Sequence, residues 1–518
     1  MSKLMLKVKN FLEKKIKIYQ LRFTIREILF FLLLIFIYFL SRLINLTSLP
    51  VFADEAIYVR WSQVMRAEST LRFLPLSDGK QPLFMWLTIP FLKVFKDPLF
   101  AGRLVSVLAG FLTMLGLGSL VYWLKKSAKL TLLIMFFYII TPYTLFFDRM
   151  ALADSLLSAF AIWALLFAFL LGEFPRLDLA MILGMILAGG WLTKSPGLFL
   201  ILLTPFVVFI TYWQKQGKLK AKALFKLGVL IGISIFFALA GYNILRLGPN
   251  FHLIALRNKD YVWPISEILK HPLDPLLPHL KDIWRYYTIY LTYPLFLLGL
   301  SGLRRGLANK KLKLWFLIIA FWWLFPMLVQ SAFAKVFTAR YLLYGVPSFL
   351  LFIVFGWEGL GAWLKKRKIP PVFLWLLFFP ALFFNYQLWT DVRKAPLPHD
   401  EHAGYLQEWT AGWGIKETAD YLKTLSREKG IVVGTEGYFG TLPDGLQIYL
   451  EKEADISVIG VGYPIKTLPD PLLGAKEFGN QVYLVVNQSR LEYPHPEEWQ
   501  LIAEYPKPGG DKLLFYKL

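Results

Sequence analysis

The sequence predicts a polytopic α-helical membrane protein of about eleven spans that ends in a soluble α/β domain. Three observations carry this. Of 518 residues, 56% are hydrophobic and 17% aromatic, with a mean hydropathy of +0.50, far above a soluble globular average. The apolar residues gather into runs of about the 20 residues that cross a hydrocarbon core. After Trp389 those runs stop, and short strand-like and helix-like segments alternate. The net charge of +22 would suggest a nucleic-acid partner in a soluble protein. Here the basic residues cluster in short loops between apolar runs, the pattern of cytoplasmic loops, and no nucleic-acid partner is expected. There are no cysteines, which excludes disulfides and thiolate chemistry but names no compartment.

Residues 1–26 are basic (Lys3, Lys7, Lys9, Lys14, Lys15, Lys17) and lead into an apolar run too long for a signal peptide, read as a retained anchor. Spans are expected at 27–47, 98–123, 130–147, 151–171, 178–193, 196–213, 227–247, 286–303, 313–331, 340–358 and 371–389. With the N-terminus in the cytoplasm, alternate loops should be basic. Lys125 to Lys129, Lys215 to Lys226, Arg304 to Lys313 and Lys365 to Lys368 comply, and 172–178 is the weak member. An odd count then places the C-terminus outside. The chain reads as a transmembrane domain, 1–389, with outer loops 48–97 and 248–285, and an extracytoplasmic α/β domain, 390–518.

In the first outer loop, 55–67 has helical spacing of Ile57, Trp61 and Val64, and Leu83 to Val94 is apolar but too short to span; both suit helices lying in the interface. The second outer loop is long enough for a lid, or is only a connection. In the C-terminal part, strands are expected at 431–433, 456–459, 482–486, 501–503 and 513–516, and helices at 415–427 and 446–453. This domain either selects the acceptor or covers the site.

The chemistry-bearing stretch is Ala53-Asp54-Glu55-Ala56-Ile57-Tyr58, just beyond the first span. A carboxylate where water gives way to lipid can be partly desolvated and act as a base; equally, Asp54 and Glu55 suit an ordinary helix start. Asp148-Arg149, with Asp154 after it, falls at an outer turn: either a functional acid or an ion pair closing a helical hairpin. Lys80, in a turn made by Gly79 and Gln81-Pro82, suits a phosphate or snorkels to headgroups. Arg340 at the outer end of the tenth span runs against the orientation rule and calls for an anionic partner, and Lys194 is a second cation in that plane. A rim of acids and cations suits transfer of a sugar from a lipid phosphate. His399 and His402, with Asp400 and Glu401 between, are the one further grouping that could hold a metal.

With these residues placed, the chain resembles the protein O-mannosyltransferases and lipid A aminoarabinose transferases, the GT-C membrane glycosyltransferases of family 39 type. The matching motifs are Asp54-Glu55, Gly79-Lys80-Gln81-Pro82-Leu83, Asp148-Arg149 with Asp154, Thr193-Lys194-Ser195-Pro196-Gly197, and Arg340-Tyr341-Leu342 with Pro347. The resemblance implies a polyprenyl-phosphate sugar donor, inversion at the anomeric carbon and transfer to an acceptor lipid, glycan or protein hydroxyl outside a multi-pass cell-membrane protein. It makes Asp54 the base with Glu55 its neighbour. Lys80 and Arg340 become donor-phosphate contacts, Asp148 orients the acceptor or lipid head, and Arg149 pairs with a carboxylate. Tyr58 and Lys194 complete the candidate substrate contacts. It implies no obligatory cofactor and leaves a divalent metal open. Two departures stand: the family's Lys-Pro-Pro is Lys80-Gln81-Pro82 here, and the C-terminal domain lacks the sugar-binding repeats of eukaryotic protein mannosyltransferases. The alternative is a lipid-linked sugar flippase or proton-coupled transporter, against which stand the absence of a repeat and the position of the acids at the rim.

Overall fold

In the computed structural model the described residues are 24–214, 217–425, 430–492 and 499–518. The basic segment from Lys3 to Lys17, Lys215, and the expected helix end at Arg427 lie outside them.

The chain opens with α1 (Ile25–Leu43), capped reciprocally by Thr24 and Glu27. Leu29, Phe30, Leu33 and Phe36 on its outer face are exposed, as lipid-facing side chains are. After β1 (Val51–Phe52) comes α2 (Ala53–Ala67), then α3 (Leu83–Val94). These are the two short helices the outer loop was expected to hold.

The bundle continues through α4 (Pro98–Lys125), α5 (Ala128–Ile140), α6 (Pro142–Phe147), α7 (Ala153–Glu173), α8 (Leu177–Thr193), α9 (Gly197–Leu203), α10 (Val208–Gln214) and α11 (Gly217–Tyr242). The expected span 130–147 is broken into α5 and α6, because Pro142 has no N–H to continue the first helix. Pro205 divides α9 from α10 in the same way.

The second outer loop carries α12 (Leu253–Tyr261) and α13 (Ile265–Lys270), and runs into α14 (Leu276–Tyr290). The expected span 286–303 is corrected here. Its first turn belongs to α14, and a break at Thr292, whose φ is +63°, precedes α15 (Tyr293–Ala308).

Next come α16 (Lys313–Phe333), a 3₁₀ segment Ala339–Gly345, and α17 (Val346–Lys366). A second 3₁₀ segment, Pro371–Phe378, leads to α18 (Phe379–Thr390). Among the described residues, five stretches are long and apolar enough to cross a membrane: Pro98–Lys125, Ala153–Glu173, Lys220–Leu247, Lys313–Phe333 and Ala339–Lys366. The other apolar helices are shorter or broken.

Small residues bring the helices together. A Cβ on Gly302 of α15 would lie 1.8 Å from the Phe352 carbonyl oxygen, and one on Gly356 of α17 2.0 Å from that of Leu298. The two backbones touch, and only glycine permits it at either position.

The C-terminal part begins with α19 (His399–His402), β2 (Ala411–Gly412) and α20 (Ile415–Thr424). It continues with β3 (Ile431–Thr435), α21 (Asp444–Leu450), β4 (Ile456–Gly460), α22 (Asp470–Glu477), β5 (Gln481–Asn487), β6 (Gln500–Pro506) and β7 (Lys512–Lys517). The five expected strands are all present, in the order β4-β3-β5-β7-β6. β3 is parallel to β4 and β5; β7 is antiparallel to β5 and β6.

This region grips the first outer loop. β1 pairs antiparallel with β2, Phe52 opposite Ala411, and the Ala53 N–H donates to the Thr410 carbonyl at 3.1 Å. Further along α2, Gln63 donates to the Ile448 carbonyl at 2.9 Å and Arg66 pairs with Glu451 at 2.7 Å. The helix that begins Ala53-Asp54-Glu55 is thus held from above by the sheet region and from below by the bundle.

Candidate active site

Asp54 and Glu55 are chain neighbours on the first turn of α2, and they point in different directions. Glu55 is fully buried. Its carboxylate takes a bidentate pair from Arg103 of α4 at 2.8 and 2.7 Å, the Ala151 N–H at 2.6 Å and the Phe52 N–H at 3.0 Å. Arg103, equally buried, spends its other donors on the carbonyls of Leu46, Leu49 and Pro50. This fork fixes the start of α2 against α4 and the turn before α7.

Asp54 faces a cavity of about 490 Å³ bounded by the first outer loop, the α8–α9 junction, α12, the end of α16 and the Arg340 segment. Its Oδ2 is 2.5 Å from Nη2 of Arg340. Burial pushes the Asp54 carboxyl up, but the charges of Arg340, Lys80 and Lys194 outweigh it and hold its pKa at about 2.

Polar and apolar side chains both line the cavity. Among the polar ones are Asp54, Tyr58, Asp78, Lys80, Lys194, Arg257 and Arg340. Among the apolar ones are Met85, Leu198, Phe199, Val329 and Phe333. Lys80 leaves the turn at Gly79, whose φ is +69° and where a Cβ would meet that of Arg257 at 2.6 Å. The Lys80 ammonium lies 3.7 Å from Asp78 and 5.2 Å from the centre of the Tyr261 ring. Burial disfavours its charge, but Tyr58, Asp54, Tyr261 and Asp78 more than compensate and keep its pKa above the ordinary lysine value.

Gln81, the departure from Lys-Pro-Pro, is buried and donates to Ser195 Oγ at 2.9 Å. It ties the Lys80 turn to the Lys194 motif. Lys194 pairs with Asp154 at 2.6 Å and stands 4.4 Å over the Tyr341 ring.

Arg340 is positioned by a residue first noticed for another reason. Glu401, buried in α19, accepts the Ala339 N–H at 2.9 Å and the Tyr290 hydroxyl at 3.3 Å. Burial pushes its carboxyl up to about 7. Its neighbour Asp400 pairs with Arg285 at 2.9 Å and accepts from the Tyr286 hydroxyl. Asp400 and Glu401 of the His399–His402 grouping therefore anchor α14 and the Arg340 segment. Among the described residues no cluster of three or more His, Cys, Asp or Glu side chains could hold a metal ion.

The structure thus brings Asp54, Tyr58, Lys80, Lys194 and Arg340 to one cavity and places Glu55, Asp148 and Arg149 outside its lining. Asp148 is buried among the Tyr138 hydroxyl at 3.1 Å, the Ser155 hydroxyl at 3.0 Å and Arg42 at 3.6 Å. Contrary to what the resemblance implied, Arg149 pairs with no carboxylate among the described residues. It donates to the carbonyls of Ile44 and Asn45 at 2.8 Å and of Leu388 at 3.3 Å, closing the ends of α1 and α18. Sequence reasoning missed Arg103 and Glu401. For Arg103 a signal existed, since an arginine within the outer end of an apolar span breaks the orientation rule just as Arg340 does.

Residues 75–247 match the family model of dolichyl-phosphate-mannose-protein mannosyltransferases. That stretch holds Lys80, Asp148, Arg149, Asp154 and Lys194, and leaves out Asp54 and Arg340. No curated protein matches the chain in sequence. Among solved structures, ArnT from Cupriavidus metallidurans in the apo state aligns with a TM-score of 0.53 and 16% identity, over 94% of this chain and 97% of that one. The same ArnT bound to undecaprenyl phosphate aligns with a TM-score of 0.54 and 15% identity over the same shares, 94% and 97%. The oligosaccharyltransferase of Archaeoglobus fulgidus, in complex with zinc and sulfate, aligns with a TM-score of 0.48 and 12% identity, over 88% of this chain and 67% of that one. The resemblance drawn from the motifs is borne out at the level of fold: the chain shares the architecture of ArnT along almost its whole length, and residues 75–247 match the mannosyltransferase family model.

Proposed function

We propose that this chain is an inverting glycosyltransferase that moves a sugar from a polyprenyl-phosphate donor to an acceptor hydroxyl on the outer face of the membrane. In this reading it crosses about eleven times, with its N-terminus in the cytoplasm and residues 390–518 as an extracytoplasmic domain. The observation that carries the reading is the cavity itself: Asp54 facing Arg340 at 2.5 Å, with Lys80, Lys194 and Arg257 in the same lining alongside apolar side chains.

The polyprenyl tail lies along Leu198, Phe199 and Phe333, and its phosphate meets Lys80 and Arg340, with Lys194 as a further contact. The acceptor oxygen attacks the anomeric carbon from the side opposite the phosphate, Asp54 takes the hydroxyl proton, and the bond to phosphate oxygen breaks. Inversion follows from that single displacement. The departing lipid phosphate gains negative charge, which the cations stabilise without a proton donor.

The low pKa of Asp54 gives the donor a second effect. Alone in the cavity, Asp54 is ionised but a weak base, since Arg340 and Lys80 stabilise its anion. A donor phosphate on those same cations neutralises part of their field and makes Asp54 more basic. The site would then acquire its base only when loaded. Arg340 suits both roles, since its Nε, buried, has no hydrogen-bond partner among the described residues.

The experiment is transfer of radiolabelled sugar from synthetic polyprenyl-phosphate donors to native membrane extract, comparing wild type with Asp54→Asn. Loss of transfer with donor binding intact supports Asp54 as base. Full transfer by the variant removes it from that role. No transfer by wild type from any donor, with labelled lipid crossing sealed vesicles unchanged, would make the protein a flippase.

A further inference from the structure

The sheet region carries a second site that the transfer chemistry does not use. In β3-β4-β5 the chain steps from β3 to β4 on one side and then to β5 on the other. The crevice outside the carboxyl ends of β3 and β5 is therefore the point where strand order reverses, where open α/β sheets bind ligands. Glu436 directly follows β3, and Asn487 ends β5. Both are buried; Glu436 accepts from the Asn487 N–H at 2.6 Å and from its side-chain amide at 2.7 Å.

Above this pair Arg490 lies 4.0 Å from Glu436 and is stacked between two rings, 4.0 Å from the centre of Trp409 and 3.9 Å from that of Tyr463. Tyr438 lies over Gly462, where a Cβ would be 3.1 Å from its hydroxyl, and Gly440 lies flat against Trp409, where a Cβ would be 3.5 Å from the ring. Trp409, Arg490 and Tyr463 thus gather above the Glu436–Asn487 pair, with Tyr438 beside them and Phe439 next to it in the chain. The outer rings are open to solvent: Tyr438 is 75% exposed, Phe439 66% and Tyr463 62%.

Isolated exposed aromatics are ordinary, but a contiguous group marks a binding surface. We infer that the surface formed by Tyr438, Phe439, Tyr463, Trp409 and Arg490 binds a saccharide, the glycan part of the acceptor. Flat rings beside a guanidinium match a pyranose, whose C–H faces stack on aromatic rings and whose hydroxyls need fixed hydrogen-bonding partners. A peptide or lipid tail would need deeper apolar pockets. Chain connectivity supports the acceptor role: Trp409 adjoins Thr410, whose carbonyl holds the N–H of Ala53, the residue before Asp54. This role rests on the transferase reading; the binding does not.

The test is saturation-transfer difference NMR and calorimetry on the full chain in lipid nanodiscs, with mannotriose, chitotriose and maltotriose as probes. Wild type is expected to bind at least one probe, and Tyr438→Ala with Tyr463→Ala to weaken it at least tenfold while donor binding holds. Arg490→Lys keeps the charge but loses the flat stack, and is expected to weaken binding less. Binding of no probe by wild type, or equal binding by the aromatic variant, overturns the site. Asp54→Asn is expected to bind saccharide as wild type does, so a failure of the transferase reading and a failure of this one are told apart.

Discussion

Asp54 and Glu55 are successive residues, and the molecule treats them oppositely. Glu55 belongs to a dry region behind the cavity, where Arg103, two backbone amides and full burial use every lone pair it has. Asp148 with Arg42, and Arg149 with its three carbonyls, belong to the same region. Asp54 belongs to the cavity, where it shares Arg340 in a field of cations that outnumber the acids. In the dry region Glu55 and Asp148 each face a buried arginine, which is how a buried ion is made tolerable. In the cavity Lys80, Lys194, Arg257 and Arg340 line the space against Asp54 and Asp78, and Lys194 and Arg257 also pair with Asp154 and Asp260. The first region holds helices in place, and the second sets its cations around open space where an anion can bind.

The largest effect that tests this division is on rate. Asp54→Asn should lower kcat by about 10²–10⁴-fold, the usual contribution of a positioned base, with some loss of melting temperature because the lowered Asp54 pKa stabilises the fold. The counterpart in the dry region is Glu55→Gln, expected to destabilise by about 3–5 kcal/mol because it leaves the Arg103 charge buried and unmatched. Thermal unfolding in detergent measures it. Replacing both partners, Glu55→Met with Arg103→Met, should recover part of the loss. If Glu55→Gln folded normally and abolished transfer, the division would be wrong and Glu55 would rejoin the reaction.

This division was only half legible in the sequence. The five strands and the helices α20 and α21 of the sheet region could be read from alternation and spacing, because each is a local signal, whereas α22 was not expected. The two short helices of the outer loop could be read as well. The break at Thr292 was missed although Pro294, in the first turn of α15, signals it. Asp54, Lys80, Lys194 and Arg340 were legible as a set because each is a charge in an unexpected place. Glu55, Asp148 and Arg149 looked the same for the same reason. What separates the two groups is direction: one residue along α2 turns a side chain by about 100°, from cavity to core. Only the partners, Arg103 and Ala151 for one and Arg340 for the other, decide which is which. The His399–His402 grouping shows the converse, since its two acids lie where a ligand set would but serve backbone and arginine far away in sequence.

A smaller effect sharpens the cavity side. Lys80→Ala should reduce kcat/KM for the donor about 10–100-fold, the value of one charge-assisted contact of about 1.5–3 kcal/mol, mainly through KM. Because Lys80 also depresses the Asp54 pKa, the acid limb of the kcat/KM profile should move to higher pH in this variant. A drop in rate with no movement of that limb would mean that Lys80 does not share a field with Asp54.

The smallest effect is one of slope, and it sets Glu401 against Asp54. Burial raises the Glu401 pKa from the usual 4.5 to about 7, so the folded chain binds this proton more tightly than the unfolded chain does. Its contribution to stability is fully present below pH 4.5 and is lost as pH rises to about 7. Asp54 has the opposite sign. With its pKa lowered from 3.8 to about 2, it favours folding above pH 3.8 and loses that contribution only as pH falls toward 2. Glu401→Gln keeps an acceptor for the Ala339 N–H but cannot titrate. The melting temperature of the variant, followed from pH 5 to 8, should therefore decline less steeply than that of wild type, by at most one proton's share of about 1.4 kcal/mol per pH unit. Asp54→Asn should leave the slope in that window unchanged, because Asp54 is ionised in both states throughout it. Equal slopes in wild type and Glu401→Gln would mean that Glu401 is already charged near neutrality, and that Arg340 is steadied by an ion rather than by a neutral acid.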